Sequence, residues 1–168
     1  MKKYLFRLGK QAVKAAIETI NSKRKNKVLK DYCSLLKKYK IKIISENKKD
    51  LKLAKQKKLK DNLLNRLLVN EKKILEIIKS INNIIKLKDP VNQTLEKWKR
   101  PNGLKISKVT TSIGVISIIY ESRPNVTSDV ASLCFKSGNP VILKGGSEAY
   151  YTNKILSNLF RKALKKNN

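Results

Sequence analysis

Residues 113–149 of this 168-residue chain read IGVISIIYESRPNVTSDVASLCFKSGNPVILKGGSEA. The apolar, β-branched run from Ile113 to Tyr120 predicts a strand that is buried on both faces, as strands of parallel sheets commonly are. A helix is predicted over Val126–Lys136, with Thr127 or Ser128 as its N-cap. This strand and helix begin the unit that decides the fold.

The second half of the same segment completes that unit. Ser137-Gly138 suits the end of the helix, because glycine readily takes the left-handed conformation at C′. Val141–Leu143 predicts a short second strand, and Gly145-Gly146 a turn after which Ser147 caps a further helix. A strand, a crossover helix and a parallel strand form one right-handed unit of a doubly wound sheet. The fold class predicted is therefore α/β and Rossmann-like, with βαβα order.

The chain before this unit is predicted to be helical. Apolar side chains recur at helical spacing over residues 4–20, 27–39, 41–57 and 62–87. Asn70 is predicted to cap a break in the last of these stretches. Asn102-Gly103 then predicts a hairpin, because both residues tolerate positive φ. The chain is therefore divided into a helical part, a hairpin and the start of an α/β unit, at residues 1–90, 91–112 and 113–168.

The composition is that of a globular but very basic protein. Lys and Arg number 40 against 12 Asp and Glu, the net charge is +28, and 40% of residues are hydrophobic, which argues against disorder. Such a charge can attract nucleic acid. However, the basic residues are mostly Lys, whereas bidentate contacts to bases and phosphate favour Arg. We therefore favour compositional drift over a nucleic-acid site, and a non-catalytic binding module remains the alternative.

Compartment is indicated by the two cysteines and the N-terminus. Cys33 and Cys134 are far apart in the sequence, which predicts reduced thiols in a cytoplasmic protein. The basic start MKKYLFRLGK is not followed by the apolar core of a signal peptide. No apolar run approaches the length of a membrane span. We expect a cytoplasmic protein without a membrane partner and without a metal site.

Two predicted turns carry the candidate binding residues, because open α/β sheets bind ligands at the carboxyl ends of their strands. The first turn, Glu121 to Asn125, holds a polar cluster of Glu121, Ser122, Arg123 and Asn125. The Asn125 amide could donate to a developing oxyanion, or it could serve only to cap the next helix. The second turn runs from Lys144 to Glu148, where backbone amides and the helix dipole attract anions. A turn without any ligand explains the same residues equally well.

The stretch IYESRPNVTSDVASLCFKSGNPVILKGGSEA, residues 119–149, resembles the diagnostic segment of γ-glutamyl phosphate reductases, also called glutamate-5-semialdehyde dehydrogenases. LGKQAVKAA, NKVL, NKKDL and DPV fit the same family more loosely and in family order. The resemblance covers Leu8 to Leu164, yet only the N-terminal portion of the longer family enzyme. It implies a truncated fold of the aldehyde dehydrogenase type.

The resemblance also implies a reaction. Such enzymes reduce γ-glutamyl phosphate with NADPH to glutamate 5-semialdehyde in proline biosynthesis, through a thiolate that attacks the acyl phosphate. By resemblance, Asn125 helps to form the oxyanion hole, and Arg123 is assigned to the substrate. NADP(H) is assigned to Lys144, Gly145, Gly146, Ser147 and Glu148. Within that set, Lys144 and Glu148 take positions near the adenosine ribose, where Lys144 could bind the 2′-phosphate.

The nucleophilic cysteine of the family lies beyond this chain, so the chain alone is predicted to be inactive. Cys134 is expected to be a small buried helix residue, since no neighbouring base would activate it. The expected partners are γ-glutamyl phosphate and NADPH. A second polypeptide that supplies the C-terminal half is one account of the truncation, and a decayed gene product and a fragment of a longer enzyme are the others; a nucleotide-binding remnant without catalysis also stays open. Further copies of the chain are also expected, because the hairpin at Asn102-Gly103 resembles the family's oligomerisation arm.

Overall fold

The computed structural model describes residues 2–18 and 20–167. Five helices come first, then an antiparallel hairpin, then a βαβα unit. The helices are α1 Lys2–Ile17, α2 Ser22–Lys38, α3 Lys40–Gln56, α4 Asp61–Leu67 and α5 Glu71–Lys86. The predicted order of elements is therefore confirmed.

The boundaries of these helices follow their caps. α2 begins before the predicted position because the Asn21 side chain accepts the backbone N–H of Arg24 at 2.9 Å. Asn70 caps α5 as predicted, by accepting the N–H of Lys73 at 2.8 Å. α1 ends at Ile17, short of the predicted residue 20, and Thr19 lies outside the described residues.

The hairpin forms where Asn102-Gly103 predicts it. β1 Thr94–Lys99 pairs antiparallel with β2 Lys105–Val109, and Gly103 in the connecting turn has φ +87°. The residues of both strands are exposed, apart from one half-buried position. The hairpin therefore projects from the rest of the chain.

The βαβα unit confirms the α/β fold. β3 Ile116–Tyr120 pairs in parallel with β4 Val141–Gly145, with Ile118 opposite Leu143. α6 Pro124–Lys136 connects the two strands, and α7 Tyr150–Lys166 follows. α6 ends as predicted, with Gly138 at φ +72°.

The core lies among the helices. Tyr32 of α2 meets Phe160 of α7 edge to face, with ring centroids 4.9 Å apart, a favoured aromatic geometry. The other fully buried apolar residues of this core include Leu29, Leu36, Ile43, Ile81, Leu156 and Ala163. Leu143 of β4 packs against this cluster. One side of the sheet is thereby attached to the helical core.

The prediction that β3 is buried on both faces is wrong. Burial alternates along the strand: Ile116 and Ile118 are half-buried, whereas Ile119 is 75% exposed. Ile113, just before the strand, is 86% exposed. The cause is that the helical core covers only one side of this two-stranded sheet, so alternate side chains face outward.

The predicted cap of α6 is also wrong. The helix begins at Pro124, whose missing N–H and fixed φ suit the first helical position. Thr127 and Ser128 lie inside the helix, and their hydroxyls bind tyrosines instead. Thr127 Oγ1 lies 2.5 Å from the hydroxyl of Tyr120, and Ser128 Oγ lies 2.6 Å from that of Tyr32.

Ser147 does not cap the last helix either, because a 3₁₀ turn at Ser147–Ala149 precedes α7 and no side chain of that turn caps it. Asp50 of α3 performs this role. Its carboxylate accepts the N–H of Tyr151 at 3.0 Å and that of Thr152 at 2.8 Å, and also the Thr152 hydroxyl at 2.6 Å. The start of α7 is therefore fixed by a residue of a distant helix.

Candidate functional site

The two candidate turns lie side by side at one edge of the sheet. Tyr120, the last residue of β3, is paired with Gly145, the last residue of β4. Because the strands are parallel, the residues that follow them leave the sheet at the same edge. The structure therefore brings together the two groups of residues that the sequence placed 20 positions or so apart.

A hydrogen bond joins the two turns. Ser122, only 5% exposed, donates its hydroxyl to Oε1 of Glu148 at 2.9 Å. The Glu148 carboxylate lies against Gly146, where any β-carbon would overlap it. A side chain at position 146 would therefore displace the end of the Glu148 side chain from its place beside the loop backbone.

Gly145, like Gly146, lies directly against a side chain, in this case that of Asn153. A β-carbon at Gly145 would overlap the side-chain amide of Asn153 and would lie 3.1 Å from the Tyr120 ring. The Asn153 carbonyl accepts the hydroxyl of Thr127 at 2.9 Å, and Thr127 in turn contacts the Tyr120 hydroxyl. Burial raises the pKa of Tyr120, opposed by its hydrogen bond with Thr127. This second set of bonds ties α7 to α6 and β3 just below the turns.

The predicted binding side chains differ in how accessible they are. Arg123 and Lys144 are exposed, so each can reach a ligand at the edge of the sheet. Asn125 is half-buried and donates its amide to Oδ2 of Asp129, one helical turn along α6, at 3.1 Å. The Asn125 amide has a second N–H, which can donate to a ligand while the first stays on Asp129.

Neither cysteine has the environment of a nucleophile. Burial raises the pKa of the Cys33 thiol to about 11, and burial also raises the pKa of Cys134. Both thiols therefore stay protonated at neutral pH, and the thiolate is the reactive form. Cys134 is buried within α6, as expected.

Two further classes of site are not found. Residues 2–18 and 20–167 contain no cluster of three or more His, Cys, Asp or Glu side chains that could hold a metal ion. Over the same residues, no helix is both long enough and apolar enough to cross a bilayer.

Sequence reasoning placed Ser122 in the first polar turn but missed its contact with Glu148, and it missed Asn153 altogether. Ser122 lies in the predicted first turn, but nothing in the sequence shows that it faces Glu148. Asn153 lies in the interior of a helix with no motif around it. Both roles depend on the parallel register of β3 and β4, which places distant residues in contact.

Comparison with known proteins identifies the family. The chain is 47% identical over 167 residues to a γ-glutamyl phosphate reductase of Hydrogenobaculum sp., and 49% identical over 149 residues to one of Nautilia profundicola. These alignments cover 98% and 89% of the chain. The chain belongs to the γ-glutamyl phosphate reductase family, whose N-terminal portion it matches.

Solved structures agree with this assignment. The crystal structure of the γ-glutamyl phosphate reductase of Thermotoga maritima superposes with a TM-score of 0.93 at 38% identity, over 96% of this chain. A putative aldehyde dehydrogenase of Bacillus subtilis superposes with a TM-score of 0.68 at 17% identity, over 96% of this chain and 34% of that one, and shows the shared fold. No protein-family model matches the chain.

The match to γ-glutamyl phosphate reductases extends over only part of their length. The chain spans 38% of the Hydrogenobaculum protein, 36% of the Nautilia protein and 40% of the Thermotoga chain. The matched portion includes the βαβα unit with its two turns, and the helices packed on it.

Proposed function

We propose that this chain forms the first part of a cofactor-binding unit in an enzyme that reduces γ-glutamyl phosphate to glutamate 5-semialdehyde with NADPH, in proline biosynthesis. The observation that carries this proposal is the identity of 47% over 98% of the chain to a γ-glutamyl phosphate reductase. The paired turns at the carboxyl edge of the sheet support it, since that edge is where such sheets bind nucleotides.

The second group of residues suits a dinucleotide; β4 is longer than predicted and includes Lys144 and Gly145, and the turn itself begins at Gly146. Lys144 is an exposed cation and so offers a point charge to a ribose phosphate. Glu148 is a hydrogen-bond acceptor held in place by Ser122, and a carboxylate oxygen suits a ribose hydroxyl. Gly145, Gly146 and Ser147 present backbone groups beside them. When bound, NADPH would supply the hydride, and these residues would bind and orient it.

The residues of the first turn suit the reacting end of the substrate. Asn125 would donate the second N–H of its amide to the oxygen of the acyl group, while the bond to Asp129 orients the side chain. Arg123 is exposed beside it and would bind the anionic γ-glutamyl phosphate. Neither side chain supplies a nucleophile, so the chemical step needs a thiolate from elsewhere.

We further propose that this thiolate comes from sequence corresponding to the remaining part of the relatives, on a second polypeptide or a longer chain. Cys33 and Cys134 are buried with raised pKa values, which disqualifies both. The outward side chains Ile113 and Ile119 give such a partner an apolar surface, and β3 and β4 offer strand edges for pairing. We place this assembly in the cytoplasm, in keeping with its two reduced thiols.

The direct test measures binding and turnover separately on the purified chain. We expect NADPH to bind saturably, as followed by its fluorescence, and expect no NADPH oxidation with γ-glutamyl phosphate. Lys144→Gln should weaken NADPH binding about tenfold, since it removes one charge contact to a phosphate. Lys105→Gln on the exposed hairpin removes the same charge elsewhere and should leave binding unchanged. NADPH oxidation by the chain alone would contradict the proposal that this chain binds the cofactor and that the nucleophile lies elsewhere.

Self-association is proposed through the projecting hairpin. β1 and β2 contact chiefly each other, so their exposed backbone edges are available to another copy. Light scattering on the purified chain, compared with a variant in which residues 94–109 are replaced by a short Gly-Ser linker, tests this proposal. A monomer in both cases would contradict it.

A second candidate function is polyanion binding without catalysis. α3 and α7 flank a surface cleft of about 480 Å³. Four of its lining residues are lysines, and two of these lie over tyrosine rings of the cleft: Lys42, Lys49, Lys154 and Lys162, with Tyr39 and Tyr151. A positive groove with aromatic side chains is typical of proteins that bind single-stranded nucleic acid.

The charge of the whole chain requires a matched control for this candidate. Fluorescence anisotropy with a labelled single-stranded oligonucleotide should be compared for Lys154→Gln/Lys162→Gln and for Lys97→Gln/Lys105→Gln on the hairpin. A cleft that binds nucleic acid predicts a larger loss of affinity and a smaller salt dependence for the first pair only. Equal losses in the two pairs would assign the binding to net charge.

A further inference from the structure

The hydrogen bond between Ser122 and Glu148 has a consequence for ligand binding, because it joins the two candidate turns. Ser122 is 5% exposed and belongs to the first turn, whereas Glu148 belongs to the second. The Ser122 hydroxyl is the donor and a carboxyl oxygen of Glu148 the acceptor. This donation occupies Oε1 of Glu148 and leaves Oε2 as an acceptor.

The Glu148 carboxylate is confined on its other side by Gly146. The absence of a β-carbon there lets the carboxylate lie directly on the loop backbone. Glu148 itself sits in a 3₁₀ turn of three residues that has no side-chain cap. The Ser122 hydroxyl is therefore the polar contact that fixes this side chain from outside its own loop.

The turn as a whole is held at a second point. Asn153 lies against Gly145 and accepts the Thr127 hydroxyl. This bond keeps α7 in place on α6 independently of Ser122. Loss of the Ser122 hydroxyl should consequently release the Glu148 side chain without releasing the loop backbone.

We propose that Ser122 is a positioning residue for dinucleotide binding: its hydroxyl holds the Glu148 carboxylate in the orientation that accepts a ribose hydroxyl. This inference rests on the proposed function, since it takes NADPH as the ligand of the second turn. If the Glu148 side chain rotates freely before binding, its conformational entropy is lost when the ligand binds, and this loss weakens binding. Ser122→Ala should therefore weaken NADPH binding about fivefold, which is the scale for one immobilised side chain.

The experiment is a double-mutant cycle on the full chain, with NADPH fluorescence titration as the readout. Ser122→Ala, Glu148→Ala and the double variant are compared with the unchanged chain. If Ser122 acts through Glu148, Ser122→Ala weakens binding about fivefold alone and has no further effect once Glu148 is alanine. Ser122→Thr, which keeps the hydroxyl, should restore most of the affinity.

A matched control separates positioning from general loss of structure. Ser132 is a buried serine on α6 whose hydroxyl has no partner among the described residues. Ser132→Ala should leave both NADPH affinity and the thermal midpoint of unfolding undiminished. If Ser122→Ala does not fold, Ser122→Cys keeps a weaker donor of similar size and should show a smaller loss of affinity in the same cycle.

The possible failures are distinct. If the unchanged chain does not bind NADPH, the proposed cofactor site is wrong and this inference falls with it. If Glu148→Ala weakens binding and Ser122→Ala does not, or if their effects simply add, the cofactor site stands and the positioning role of Ser122 is overturned.

Discussion

The helical core packs against one face of the β3–β4 sheet, here called the helical side, and the opposite face is the outer side. Isoleucine occurs on both sides but is buried on only one of them. On the helical side, Ile81 of α5 is fully buried. On the outer side, Ile119 of β3 is 75% exposed. α1 likewise buries none of its residues fully, with Phe6 66% exposed and Ile17 79% exposed. Burial of apolar area stabilises a fold in proportion to that area. Stability is therefore concentrated on one side, and the apolar surface of the other side is free for an interface.

The largest difference between the two sides should appear when isoleucine is truncated. Ile81→Ala leaves a cavity in the core and should lower the free energy of unfolding by about 3 kcal/mol. Ile119→Ala removes the same atoms from an exposed position and should lower it by less than about 1 kcal/mol. Urea unfolding followed by circular dichroism measures both. Equal losses would show that the outer face is already buried in solution, for example by self-association.

A smaller loss in the free energy of unfolding is expected when the contact between α3 and the start of α7 is removed. Asp50→Ala removes the acceptor of two backbone N–H groups and one hydroxyl at the start of α7. We expect a loss of about 2 kcal/mol in the free energy of unfolding, because those buried donors lose their partner.

The control for Asp50 is Asp31, another carboxylate that accepts bonds from α7 and its end. Asp31 contacts Lys166 and Asn167 near the surface, where water replaces a lost partner. Asp31→Ala should consequently cost less than Asp50→Ala in the same urea series. The reverse ranking would show that α7 does not depend on its cap from α3.

Alkaline pH should weaken the helical core through Cys33. Its folded-state pKa is about 11, raised by burial from 9.0. A raised pKa means that the contribution to stability is complete below pH 9 and is lost as pH rises towards 11, because the unfolded thiol ionises first. The loss should be about 1 kcal/mol, after allowance for solvent screening. Urea unfolding at pH 8 and pH 10.5 should show a steeper decline for the unchanged chain than for Cys33→Ala. Parallel declines would exclude this thiol as the cause.

The smallest effect on stability should accompany a large effect on assembly. Ile119→Thr changes an exposed strand position to another β-branched residue, so the free energy of unfolding should change by less than about 0.5 kcal/mol. Binding of a polypeptide that corresponds to the remaining part of a relative should nevertheless be weakened, because the apolar contact is lost. Pull-down with that polypeptide measures the effect. Unchanged binding would place the interface elsewhere.

The sequence predicts the elements of this fold better than their surroundings. Asn70 and Gly138 act locally and take the roles predicted for them, and the hairpin forms at Asn102-Gly103 although only Gly103 has a positive φ. The burial of β3 could not be predicted in this way, because an apolar run does not indicate whether one face or both faces of the strand are covered. Caps were wrong wherever tertiary contacts took over, as when Asp50 rather than Ser147 fixed the start of α7.

The candidate site shows the same division between local and distant information. Arg123, Asn125 and Lys144–Glu148 were placed at strand ends from their position in the sequence, and the structure puts both turns at one edge. The bond from Ser122 to Glu148 spans 26 positions. It depends on the register in which Tyr120 faces Gly145, and that register is set by packing of the whole unit.

The cap that Asp50 gives to α7 also bears on the order in which the chain acquires structure. Asp50 precedes Tyr151 by 101 residues, so a ribosome produces α3 long before it produces α7. The acceptor for the first amides of α7 is then already present when those amides emerge. The last helix of the unit can therefore dock on a template made earlier, whereas a chain refolding from denaturant must first bring these two distant segments together.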